Sequence, residues 1–176
     1  LNIIHKSGYL LLDLLNDIID LSKIEANNLQ INYAECNLNK MLNELYSLFE
    51  SELDNLEKDI KLELVKDVDD ENFRVYSDEN RIRQVLYNLL NNALKFTTKG
   101  TVKFGYYIEL PNIVFYVSDT GIGLDENEKK IIFERFRQVD EYATRKFGGS
   151  GIGLSISKGI VENLKGKIWV DSEKNQ

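Results

Sequence analysis

A chain of 176 residues, 43% of them hydrophobic, is sized and composed for one folded domain, or one domain with an appended segment. Its formal net charge of −7 argues against nucleic acid or an anionic membrane surface as the main partner. One cysteine, Cys36, excludes an intramolecular disulfide and suits a reducing, cytoplasm-like compartment, and no apolar run reaches the roughly 18 residues that a bilayer-spanning helix requires.

Residues 1–28 predict one long helix, ended by Ala26-Asn27-Asn28. Ile4, Leu11 and Ile18 repeat every seven residues, and Leu14 and Leu21 supply a second seam position. Leu12, Leu15 and Ile19 widen the stripe, so this helix asks for several neighbours, as in a four-helix bundle. A core helix of the main domain is the plainer alternative. Leu29 to Tyr33 then alternates as a short strand, and Asn37 caps a helix that runs to about Leu56. Ile60 to Val65 predicts a second strand, Asp67 to Asn72 an acidic turn, and Phe73 to Tyr76 a brief strand.

Asp78 to Thr97, DENRIRQVLYNLLNNALKFT, carries the strongest helical pattern. Ile82, Val85, Leu86, Leu89, Leu90, Ala93 and Leu94 form a broad apolar face, with Ser77 and Asp78 offering N-cap chemistry. Asn88, Asn92 and Lys95 lie at i, i+4 and i+7, one row of groups able to meet a phosphate or a metal. Asparagine is a mediocre helix former, so Asn88, Asn91 and Asn92 inside this helix need a reason beyond a polar stripe.

Thr98-Lys99-Gly100 predicts a turn, followed by strands 101–110 and 113–118 joined in a hairpin at Pro111-Asn112. Asp119-Thr120-Gly121-Ile122-Gly123 follows the second strand directly. Glycines there let backbone approach a flat ligand, and a carboxylate at a strand end can accept from an exocyclic amine; a turn closing a strand is the plainer reading. Glu126 to Phe136 predicts a short helix carrying Phe133 and Phe136. The polar stretch Gln138 to Lys146 predicts a lid, within a mobile segment from Leu124 to Gly148. Phe147 to Leu154, FGGSGIGL, opens a helix whose start suits an anion. It has neither the ending of a P-loop nor the strand and parallel unit of a dinucleotide fingerprint. Lys167 to Val170, KIWV, predicts a last strand.

Four of these elements, in this order, resemble one family. R-x-x-Q-V-L-x-N-L-L-x-N-A-x-K-F-T, D-T-G-I-G, F-E-R-F and G-G-S-G-I-G-L are similar to the N box, first glycine box, F box and second glycine box of sensor histidine kinases. The resemblance covers about residues 29–172, and Leu14 to Glu25 resembles the second helix of that family's dimerisation and phosphotransfer domain. It implies a two-layer α/β sandwich, a mixed sheet with helices on one face, preceded by one long helix. The implied division is 1–28, the end of the dimerisation domain, and 29–176, an ATP-binding domain whose last strand is missing.

The implied cofactors are ATP and Mg2+. Asn92, assisted by Asn88, would hold Mg2+; Lys95 would pair with phosphate and Phe96 pack near the base. Asp119 would read the adenine amine, with Gly121 and Gly123 allowing contact. Gly149, Ser150, Gly151, Ile152, Gly153 and Leu154 would line the phosphates, and Phe133 and Phe136 would anchor the lid. The implied partners are a second copy of the chain through the first helix and the receiver domain of a response regulator, with no nucleic acid. The chain would be the cytoplasmic part of a longer protein that can carry a membrane anchor.

Two departures qualify this, the missing last strand and the absent acceptor histidine. The acceptor histidine of the family sits in a His-Glu motif on the preceding helix, whereas His5, the sole histidine, is followed by Lys6 and Ser7. The expectation is therefore a fragment without its own acceptor, inactive in autophosphorylation. ATP hydrolases of the wider gyrase-like group carry a general-base Glu four residues before the metal-binding Asn, where this chain has Asn88. A hydrolase and a non-catalytic nucleotide-sensing module are the alternative readings.

Overall fold

The computed structural model describes residues 2–56, 58–136 and 151–174. The elements follow as α1 (Asn2–Glu25), β1 (Ala34–Asn37), α2 (Leu38–Leu56), β2 (Asp59–Lys66), β3 (Arg74–Ser77), α3 (Glu79–Phe96), β4 (Lys99–Glu109), β5 (Asn112–Asp119), α4 (Glu126–Ile131) and α5 (Gly153–Asn163). Contacts divide the chain into two units, Leu1–Ile31 with Glu126–Val170, and Asn32–Asp125 with Asp171–Gln176. No helix among the described residues is long and apolar enough to cross a membrane.

The unit of residues 32–125 and 171–176 holds a mixed sheet in the order β2-β4-β5 and a separate ribbon of β1 and β3. β2 pairs with β4 in parallel, Leu62 opposite Val102, and β4 pairs with β5 antiparallel, Phe104 opposite Val117. The parallel pair demands a crossover, and α3 lies in it. Period-2 alternation puts Leu62, Val102, Phe104 and Tyr106 on the buried face, while Val65 and Tyr107 stand on the exposed one. Leu38, Met41, Leu42, Leu45 and Phe49 of α2, with Ile82, Val85, Leu86, Leu90, Ala93 and Leu94 of α3, are buried at helical spacing. Each such Leu or Phe contributes about 2 kcal/mol on burial.

Three polar anchors fix this layer. The Tyr106 hydroxyl donates to Asn39 Oδ1 at 3.0 Å, and Asn39 Nδ2 donates to the carbonyls of Val68 and Asp70, tying down the acidic turn. Asn37 caps α2 as expected, its Oδ1 accepting from Lys40 N at 3.0 Å. At the start of α3, Asp78 Oδ1 accepts from Arg81 N at 3.1 Å, and Oδ2 accepts from Asn32 N at 2.8 Å.

That second bond accounts for a correction. Leu29 to Tyr33 does not form the expected strand, because the Asn32 N–H is taken by a side-chain carboxylate rather than by a ladder. The ribbon begins later, with Ala34 opposite Ser77. Lys99 and Gly100, expected in a turn, already pair with Asp59 and Ile60 as the start of β4. Lys167 to Val170 is not a strand either: strand-forming residues make one only where a neighbouring backbone pairs with them, and none of the described ladders includes this run.

In the unit of residues 1–31 and 126–170, α1 ends on Asn27 in the left-handed conformation, with Asn28 N bonded to the carbonyl of Lys23. Leu21 is buried, and Gly159 of α5 admits Ile24 so closely that a Cβ would stand 2.6 Å from its Cγ2. Arg135 forms an ion pair with Glu25. Leu11, Leu15 and Ile18 are more than half exposed among the described residues and form an apolar stripe. α4 is shorter than the expected helix, giving way to turns before Phe133 and Phe136. The expected lid from Gln138 to Lys146, and Gly148, Gly149 and Ser150, lie outside the described residues.

Asp78→Ala removes a cap and orphans a part-buried backbone N–H together. Its chemical-denaturation midpoint should fall by the equivalent of about 2 kcal/mol, with Asp78→Asn falling less.

Candidate functional site

The helix α3 has its apolar face buried, so its polar row stands at the edge of that face. Asn88, Asn92 and Lys95 are half-buried, whereas Asn91 is exposed. The row predicted from spacing is thus real. Lys95 Nζ lies 4.9 Å from the centroid of the Phe96 ring, a cation–π contact, and burial pushes the Lys95 ammonium below the ordinary lysine range.

The end of α3 meets the turn after β5. Thr97 N closes the helix on the Ala93 carbonyl, and Thr97 itself is fully buried. Asp119 Oδ1 accepts from Gly121 N at 2.8 Å, with the Thr97 hydroxyl at a longer 3.4 Å. Gly121 passes so near α3 that a Cβ would lie 2.8 Å from the Phe96 carbonyl oxygen. On the other side, Thr120 replaces a ladder partner: its N donates to the Thr101 carbonyl and its Oγ1 accepts from Thr101 N. Gly123 has a φ of 64° and lies against the Glu173 carbonyl, and Leu124 N is held by Ser172 Oγ.

The structure therefore brings Asp119 and Gly121 to the end of α3 at Phe96 and Thr97 within one unit, and Gly123 follows two residues on. It also gives the two glycines a role the sequence did not announce, close packing of backbone on backbone. An exposed carboxylate fixed through one oxygen at a strand end is built to accept a directed donor. Among the described residues no three carboxylate, histidine or cysteine side chains converge as a metal site. A metal near α3 would draw on amide oxygens of Asn88 and Asn92 and on oxygens of its ligand, which suits a hard cation such as Mg2+. An open depression of about 510 Å³ on the sheet's outer face, lined by residues such as Lys103, Tyr107 and Tyr116, includes none of these residues.

In the other unit, Gly151 has a φ of 70° and its carbonyl accepts from Phe136 N at 3.0 Å. Ile152 is the N-cap of α5 and makes no side-chain capping bond, and Ser155 Oγ donates back to the Ile152 carbonyl. Gly153 and Leu154 begin the helix, so these residues supply its first-turn backbone N–H groups. Phe133 is half-buried and Phe136 mostly exposed, with a φ of 56°.

Sequence reasoning missed Thr97, Thr120, Ser172 and above all Lys58. Lys58 Nζ donates to the carbonyls of Leu94 at 2.5 Å and Thr97 at 2.9 Å, capping α3 from outside. No local pattern carries this signal, since donor and acceptors stand far apart in the chain.

Comparison with known proteins agrees with this fold. The model of the histidine kinase-, DNA gyrase B- and HSP90-like ATPases matches residues 77–176. The chain is 37% identical over 98% of its length to the autoinducer 2 sensor kinase/phosphatase LuxQ of Vibrio vulnificus, and spans 20% of that protein. Full-length ShkA in complex with AMPPNP is similar with a TM-score of 0.83 and 27% identity, over 97% of this chain and 35% of that one. Histidine kinase ThkA in complex with the response regulator protein TrrA is similar with a TM-score of 0.69 and 29% identity, over 93% and 45%.

Gly121→Ala should lower stability by about 2 kcal/mol, because the added methyl meets the Phe96 carbonyl and the Asp119 carboxylate. A urea melt of that variant beside wild type measures the loss.

Proposed function

Because the chain belongs to the histidine kinase-, DNA gyrase B- and HSP90-like ATPase family and has the ATP-binding catalytic fold of sensor histidine kinases, we propose that it donates the γ-phosphoryl group of ATP to a histidine on a separate helix, for relay to a response regulator. The observation that supports this best is the Asp119 carboxylate, held by Gly121 N–H beside the end of α3.

In this reading Asp119 accepts from the adenine amine and Phe96 packs near the base. Lys95 pairs with phosphate, and Asn92 with Asn88 holds Mg2+, whose charge offsets that of the phosphates when bound. Backbone N–H groups of Gly151, Ile152, Gly153 and Leu154 contact phosphate, as a helix start suits an anion. Gly149 and Ser150 join them on the resemblance alone, and Phe133 and Phe136 anchor a lid. Transfer in such a site is mostly positioning and charge neutralisation.

Residues 1–28 are the end of a dimerisation helix and 29–176 the ATP-binding domain, in the cytoplasmic part of a longer sensor. The exposed stripe of Leu11, Leu15 and Ile18 supports a second copy of the chain as the partner of α1. His5 is not the acceptor: its neighbour Lys6 cannot take a proton while charged. Nor does the chain hydrolyse ATP at a useful rate, since Asn88 cannot act as a base.

Incubation with γ-labelled ATP and Mg2+, with a histidine-bearing dimerisation hairpin of the family supplied separately, tests the transfer. Alkali-stable label on the hairpin and none on the chain is the expected result. Label on His5, or phosphate release lost in Asn88→Ala, contradicts it.

Lys95 gives the pH dependence. Its charge is fully present below its lowered pKa and lost as pH rises through it, so ATP affinity should decline on the alkaline side earlier than an ordinary lysine allows. Stability runs the other way, because the buried charge is relieved as pH climbs from that lowered pKa toward the unfolded value. Calorimetric titration across pH should show the decline in wild type and none in Lys95→Arg, whose guanidinium stays charged.

A further inference from the structure

We propose that Lys58 is a positioning residue for base selection, holding the end of α3 so that the turn of Asp119 and Gly121 presents its carboxylate at a fixed place. This rests on the reading that Asp119 accepts from the adenine amine.

The last carbonyls of a helix have no partner within it, and a cation there also complements the negative end of the helix dipole. Lys58, just before β2, donates to the carbonyls of Leu94 and Thr97, with that of Lys95 at 3.5 Å. These bonds gather the backbone on either side of Phe96 around one ammonium. Phe96 then presents its carbonyl to Gly121, at a distance that leaves no room for a methyl group. Gly121 N in turn fixes Asp119 Oδ1, and the buried Thr97 brings its hydroxyl to the same oxygen. Every link from Nζ to carboxylate is thus a hydrogen bond or a backbone contact within one unit. Lys58 touches Asp119 through none of them directly, so its effect falls on the direction of the carboxylate.

Base selection separates this role from general support. Adenine has an exocyclic amine where hypoxanthine has a carbonyl. A well-placed Asp119 favours adenosine diphosphate over inosine diphosphate, whereas the phosphates of the two are the same. A loss of overall stability weakens both alike.

The experiment is calorimetric titration of the whole chain with each diphosphate, for wild type, Lys58→Met and Lys58→Arg. Wild type should prefer adenosine diphosphate by about tenfold or more. Lys58→Met should narrow that preference to under about threefold, mainly by weakening adenosine diphosphate, and Lys58→Arg should restore it. In an Asp119→Asn background, Lys58→Met should cause no further narrowing. Equal weakening of both diphosphates by Lys58→Met, or an unchanged preference, overturns the proposal. If wild type shows no preference, the adenine reading of Asp119 fails first, a pattern distinct from failure of Lys58 alone. Should Lys58→Met not fold by its thermal melt, Lys58→Gln in the same titrations decides by the same two outcomes.

Discussion

The close approach of Gly121 to the Phe96 carbonyl is the constraint on which the candidate site depends. It locks the turn after β5, which carries Asp119 at its start, to the end of α3 at Phe96 and Thr97. Neither element could do this alone. A strand end offers a carboxylate with freedom to turn, and a helix offers a row of side chains with no base-reading acceptor. Only a residue without a Cβ permits their backbones to meet at this distance.

The rest of the unit serves to hold those two ends. Buried leucines of α2 and α3 and the inward face of β2 and β4 supply the apolar burial. Asp78 fixes α3 at its start, bonding Arg81 N and Asn32 N, and Lys58 fixes it at its finish. Arg83 adds ion pairs to Glu44 of α2 and Glu79 of α3, though partial exposure keeps such pairs weak. Thr120 joins the turn to β4 by taking the place of a ladder partner. Helix, sheet and turn therefore form one support, and the candidate site stands where the helix and the turn meet.

Much of this was legible in the sequence because it is local. The apolar period of α3, the N-cap of Asp78 and the row of Asn88, Asn92 and Lys95 follow from spacing, and the glycine and asparagine boxes carried the family. What escaped was set by distant partners. Leu29 to Tyr33 alternates like a strand, yet a carboxylate 46 residues away captures the Asn32 N–H. Lys167 to Val170 has strand-forming residues but no ladder among the described ones. Nothing near Lys58 in sequence names the carbonyls it reaches. The close packing at Gly121 and Gly123 escaped as well, because the Phe96 and Glu173 carbonyls they meet stand far away in the chain.

The central claim is that an adenine nucleotide seats where α3 ends and the D-T-G turn begins. Amide chemical-shift mapping during titration with Mg2+ and a non-hydrolysable ATP analogue tests it most directly. The account predicts saturable shifts that are largest at Phe96, Thr97, Asp119, Gly121 and Gly123, and small on the outer face of β4 and β5. Shifts concentrated instead around Lys103, Tyr107 and Tyr116, or no saturable shift at Asp119 and Gly121, would contradict it.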